Sequence, residues 1–172
     1  MILEYKHLLN PDFHAASRVW IYQSSRLFRM SEALQLETML DQFTHSWLSH
    51  GVPVKGEAHL FFGQFVVLIA DETATGVSGC STDSSVRLIK EIEQKFAVSM
   101  FERTMLAFLV NGKIEILPMQ QLQYAVDKGF ISGETLYFNN LVPTKEELEN
   151  NWIIPLKESW LAKRISFANS IS

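Results

Sequence analysis

Cysteine is almost absent from this sequence. Cys80 is the only one among 172 residues, so no disulfide can form within the chain. A lone thiol suits a reducing compartment, and a cytoplasmic location is expected. Long apolar runs are missing too. The longest, Phe65 to Ala70, falls far short of the ~18 residues a membrane helix needs, so no membrane span is expected. The opening "MILEYKHLLNPDF" sets Glu4, Lys6 and His7 into its apolar start. It has neither the uninterrupted apolar centre nor the small-residue cleavage site of a signal peptide. Charge of one sign never accumulates. The net charge is −4, with acidic and basic residues interspersed. Without a Lys/Arg stripe or an RNP-type aromatic motif, nucleic-acid binding is disfavoured. The five histidines (His7, His14, His45, His50, His59) form no HxxxH, and there is no CxxC, so no metal site or cofactor is expected.

What remains is an ordinary globular composition, 47% hydrophobic and 20% charged. The length suits one domain with a sizeable core. Residues 1–17 read as a leader that packs loosely or lies along the surface, and "SFANSIS" as a frayed tail. "RVWIYQ" alternates β-branched and aromatic residues and reads as a strand. A helix follows from near Ser31, where Leu36, Met39, Leu40, Phe43 and Trp47 form an apolar stripe, and His50-Gly51-Val52-Pro53 ends it. "GEAHLFFGQFVVLIADE" reads as a hairpin about a two-residue Gly63-Gln64 turn. That register puts Glu57, His59 and Phe61 on the face of Val66, Leu68 and Ala70. Both faces are apolar, so these strands are expected to be covered on both sides. A helix from about Ser84 to Phe96 comes next. "MLAFLVNGKIEILP" is a hairpin on the type I′ pair Asn111-Gly112, with Ala107, Leu109, Ile114 and Ile116 on one face. A short helix ends at Gly129, and "ETLYFNNLV" is a further strand. Thr144 and Glu147 have capping-box spacing, and the last segment, with Trp152, Leu156, Trp160, Leu161 and Ile165, is expected to be helical. The order β-α-ββ-α-ββ-α-β-α predicts an α+β fold: a mainly antiparallel sheet of roughly six strands with helices packed on it.

"TGVSGCSTDSSVRLIKEIEQKF", Thr75 to Phe96, carries the most chemistry. Free amides at a helix start attract anions, so Ser81, Thr82, Ser84 and Ser85 are candidate donors to a small anionic ligand about the amides of Asp83 to Ser85. The Asp83 carboxylate would compete for them. The alternative is that Ser81, Thr82 or Asp83 is a simple N-cap, worth ~1 kcal/mol. Cys80, placed near a helix start, has the setting of an activated thiol, with His59 on a neighbouring strand as distant base and Asp83 nearby. Its alternative is a packed core thiol. Asp83, Arg87, Glu91 and Lys95 recur at i+4 with alternating sign, a solvated row of favourable pairs. Asn139 and Asn140 leave a strand and are candidate ligand contacts, or plain turn residues.

"VSGCS" superficially resembles the LSGGQ signature of ABC ATPases. No Gly-Lys-Ser or Gly-Lys-Thr occurs in the chain, so the phosphate-binding loop that ATP hydrolysis requires is missing. Taken together, "RVWIYQSSR", "GCSTDSSVRLIKEIE", "FNNLV" with "TKEELENNW", and "PLKESW" resemble a family of short bacterial proteins often called "ABC transporter ATPase". The resemblance runs from about Arg18 to Arg164 and is densest at Gly79 to Val86, Phe138 to Val142 and Pro155 to Trp160. It implies a cytoplasmic protein and carries over no catalytic residue. The expected function is a non-enzymatic domain that binds a small anionic ligand or a protein partner. The alternatives are a thiol-dependent enzyme using Cys80, and a nucleotide-binding accessory protein.

Overall fold

A computed structural model describes residues 1, 3–73 and 79–167, with residues 79–81 described in backbone only. The expectation for the tail beyond residue 167 lies outside the described residues. In chain order the elements are β1 (Arg18–Gln23), α1 (Met30–Ser46), β2 (Leu48–Ser49), β3 (Val52–Pro53), β4 (Lys55–Phe61), β5 (Phe65–Asp71) and α2 (Gly79–Phe96). After these come β6 (Met105–Val110), β7 (Lys113–Pro118), α3 (Leu122–Asp127), β8 (Leu136–Phe138), α4 (Lys145–Asn151) and β9 (Ile153–Pro155). The fold is α+β and every strand pairing is antiparallel. The strands divide among three sheets, β1-β5-β4, β2-β3 and β7-β6-β8-β9, where one sheet of about six strands was expected. The chain forms two compact units, one of residues 2–102 with 140–149, the other of residue 1, 103–139 and 150–172.

In the first unit β5 is the central strand, and all seven of its residues are buried, as its unbroken "FVVLIAD" suggests. One face of this sheet carries Val66, Leu68 and Ala70. Against it pack Leu36 and Leu40 of α1 and Leu88, Ile89, Ile92 and Phe96 of α2. These are the stripes that the 3.6-residue period marks in the sequence.

The hairpin register differs from the expected one by a residue. Phe61 pairs with Phe65, not Phe62 with Phe65. Phe62 and Gly63 both take positive φ, 55° and 65°, and the Gln64 amide donates to the Phe61 carbonyl at 3.1 Å. The loop therefore has three residues. A one-residue slip moves a whole strand's side chains to the other face. Glu57, His59 and Phe61 consequently share a face with Val67 and Ile69, while Ala58 and Leu60 face the helices. The signal hidden by the sequence is Phe62, an aromatic residue in a left-handed conformation that glycine usually supplies.

The opening segment is no loose leader. Tyr5, Leu9 and Phe13 are buried, and the Tyr5 ring lies 5.6 Å from Phe61. Polar ties hold it there. The Tyr5 hydroxyl donates to the Leu148 carbonyl, the Asn10 amide to Glu57, and buried Lys145 to the Asn10 and Phe13 carbonyls. The His14 amide donates to Asp71, whose carboxylate also accepts from the Thr73 hydroxyl and amide and from Lys55. The Thr73 hydroxyl, above all, holds the Asp71 carboxyl far below the usual carboxylate range. Helix α1 ends at Ser46, and His50-Gly51 is the turn of the β2–β3 hairpin, both at positive φ.

The second unit contains the hairpin the sequence shows most plainly. Asn111 and Gly112 take φ of 50° and 74°, with Leu109 opposite Ile114 and Ala107 opposite Ile116, as expected for type I′. Leu106, Phe108 and Tyr137 of its sheet pack with Leu122, Ala125, Leu156 and Leu161. The last segment is helical only in part. It forms β9 and two 3-10 turns, Leu156–Glu158 and Trp160–Arg164. The β-branched pair Ile153-Ile154 favours a strand, and Pro155 lacks the amide a continuing helix would need.

Candidate functional site

Helix α2 begins at Gly79, about a turn before the expected Ser84. This relocates the proposed anion cradle. In a helix only the first four amides lack an intrahelical acceptor, so those of Asp83, Ser84 and Ser85 are not free. Thr82 and Asp83 sit inside the helix and are not its N-cap. Of the Cys80 and Ser81 side chains nothing is described, so the thiol and Ser81 donor readings lie outside the described residues.

The remaining candidates point in different directions around α2. Asp83 is exposed. Ser85 is fully buried and donates to the Thr82 carbonyl at 2.7 Å. Its one proton is thereby used, so the Tyr22 hydroxyl, 3.2 Å away, donates to Ser85 Oγ. Ser85 is a satisfied core hydroxyl, not a ligand donor. Ser84 is half-buried and lines a groove beside α2. His59 lies on the sheet face opposite α2, stacked on Phe61 at 4.9 Å, with Nε2 3.4 Å from Glu57 Oε1. The structure does not bring it to the helix that carries Cys80. Asn140 donates to Gln23 Oε1 at 2.9 Å, and the Asn139 amide donates to the Trp152 carbonyl at 2.6 Å. The two asparagines fall in different units and are engaged in holding their own. Among the described residues no cluster of three or more His, Cys, Asp or Glu is placed to hold a metal.

Among the described residues a groove of about 430 Å³ opens between α1 and α2. From α1 it takes Met39, Gln42, Phe43 and Ser46, and from α2 it takes Ser84, Arg87, Leu88 and Glu91. Both helices pack on the same sheet face, which fixes the walls. Half-buried Met39 and Phe43 and buried Leu88 form an apolar floor; Gln42, Ser46, Arg87 and Glu91 are exposed along the rim. Phe43 is propped from below by Trp47 at 4.8 Å, which in turn meets Trp20 at 5.9 Å. The volume lies within the ~300–1,000 Å³ typical of small-molecule sites.

The charged row on α2 does not behave as its spacing suggests. Among the described residues no ion pair forms along Asp83, Arg87, Glu91 and Lys95. Arg87 and Glu91 instead edge the groove with no ion-pair partner among the described residues. The described lining includes no cysteine or histidine, so it offers no nucleophile–base pair of the usual kind. Sequence reasoning missed the α1 half of this site, because Met39 and Phe43 sit within a stripe that reads as core. The one available hint was the polar pair Gln42 and Ser46, spaced i, i+4 beside them.

No protein-family model, curated protein or solved structure matches this chain. Among the described residues no helix is long and apolar enough to cross a membrane.

Proposed function

We propose that this chain is a non-enzymatic binding domain whose ligand is a small molecule with an apolar body and a charged head, held between α1 and α2. The observation that carries this reading is the combination of an apolar floor, Met39, Phe43 and Leu88, with the charges of Arg87 and Glu91 at its edge. Ligand sites are typically apolar concavities with a few polar groups that fix orientation. The thiol-enzyme alternative is weakened by His59, which faces away from α2 across the sheet. A cytoplasmic location belongs with this proposal on the strength of the single cysteine, as does membership of the short bacterial family that the sequence motifs resemble. The test is a fluorescence titration with 8-anilinonaphthalene-1-sulfonate, an apolar ring system bearing one anion. Met39→Glu, which puts a like charge on the floor, should weaken binding at least tenfold. Leu27→Glu, at an exposed leucine outside the lining, should leave it unchanged. Equal binding by wild type and Met39→Glu would remove the groove from the account.

A further inference from the structure

The order of charges along α2 narrows the ligand further. We infer that the groove accepts a zwitterion of dipeptide size, with its carboxylate on Arg87, its ammonium on Glu91 and its apolar side chains on Met39, Phe43 and Leu88. The inference rests on the groove assignment above.

Arg87 and Glu91 are one helical turn apart on the same wall. Four residues of helix rise about 6 Å. Two residues of extended chain span at most about 7 Å, so the termini of a dipeptide match this separation. A free amino acid, with its two charges on one carbon, would satisfy only one of the side chains at full strength. The stretch of wall also sets a limit. Met39 to Ser46 and Ser84 to Glu91 each cover eight residues, seven helical steps or about 10 Å. That is too short to seat the several turns of a partner helix, and long enough for two residues and their side chains.

The order of the pair explains why it stays available. With the base N-terminal to the acid, Arg87–Glu91 has the less favourable i, i+4 arrangement, opposed to the helix dipole. Asp83 stands one turn before Arg87 in the favourable order, yet no ion pair forms there. Asp83 is the group that a ligand carboxylate must compete with. Ser46 on the facing helix already donates to the Gln42 carbonyl at 3.0 Å, so its hydroxyl oxygen can only accept, from an ammonium.

The test is a methyl NMR titration with leucyl-leucine, N-acetyl-leucyl-leucine, leucyl-leucine methyl ester and the doubly blocked N-acetyl methyl ester, read at Met39 and Leu88. Exposed charge pairs of this kind change affinity by about 1.5- to fivefold each. Blocking either terminus should weaken binding by that factor, and blocking both by the product of the two factors. Arg87→Gln should abolish only the advantage of the free carboxylate, and Glu91→Gln only that of the free ammonium. If all four peptides shift these methyls with equal affinity, the zwitterion inference is overturned while the groove stands, and a blocked peptide segment becomes the occupant. If none shifts them, while 8-anilinonaphthalene-1-sulfonate still does, the peptide class is wrong. If no probe shifts them, the groove assignment itself falls.

Discussion

The floor of the groove depends on a glycine that the sequence gives no reason to notice. A Cβ added at Gly56 would lie 2.5 Å from Trp47 Cε3, 2.6 Å from Cζ3 and 3.3 Å from the Ile69 carbonyl oxygen. Carbon atoms in contact prefer about 3.5–4.0 Å, so Gly56→Ala requires roughly 1 Å of retreat. Neither side can give way easily. Gly56 is pinned in β4 opposite Ala70, and Trp47 is buried between Trp20 and Phe43. Overpacking of this kind costs about 1–3 kcal/mol. Urea unfolding followed by far-UV circular dichroism should show Gly56→Ala destabilised by about 2 kcal/mol with little change in slope. Trp47→Phe removes the ring that collides, at its own cost in lost burial. In that background Gly56→Ala should cost at least ~1 kcal/mol less, the coupling expected of two groups in direct contact. The same variant should loosen ligand binding, because a displaced Trp47 no longer props Phe43. A Gly56→Ala cost below ~0.5 kcal/mol, equal in both backgrounds, would refute the packing argument and the link from Trp47 to the groove.

Three further outcomes check other parts of the structure. Gly112→Ala should cost ~1–2 kcal/mol by thermal or urea unfolding, since φ of 74° in the Asn111-Gly112 turn penalises any Cβ; no loss would count against the type I′ geometry. Tyr22→Phe should cost about 1 kcal/mol through the lost bond to buried Ser85, and Ser85→Ala should leave Tyr22 without its acceptor; a Tyr22→Phe variant as stable as wild type would contradict the pairing. The side-chain bond from Arg26, with the Arg29 amide, holds the Glu32 carboxyl down at about 2. A carboxyl depressed on folding adds stability above its ordinary range, near pH 4.5, and that stability is lost as pH falls toward about 2. Carboxyl NMR should therefore show Glu32 still ionised at pH 3, and Glu32→Gln should flatten the acid limb of the stability profile. A Glu32 midpoint in the ordinary range would disprove the tie.

How far the sequence reveals this protein depends on how local each signal is. Asn111-Gly112 encodes its own turn, so the register of Leu109 with Ile114 and of Ala107 with Ile116 is readable from a few residues. The stripes of α1 and α2 are readable for the same reason. Phe62 encodes its turn poorly, and its positive φ shifts the β4–β5 pairing by one residue, which sends His59 away from α2. Asp71 is anchored by an Asp-x-Thr turn that could have been noticed, but its contact with His14 joins residues far apart in the chain. The groove is the least readable feature. Met39 and Leu88 reach it from two helices whose meeting depends on a shared sheet face, and Arg87 looks like any member of a solvated charge row.

The most direct test of the binding-domain reading is a methyl-resolved NMR titration of the intact chain with 8-anilinonaphthalene-1-sulfonate. The methyl signals of Met39 and Leu88 should move together and saturate at a common dissociation constant, while those of exposed Leu27 and Leu141 stay in place. Saturable shifts at Leu27 or Leu141 with Met39 and Leu88 unmoved would contradict the account.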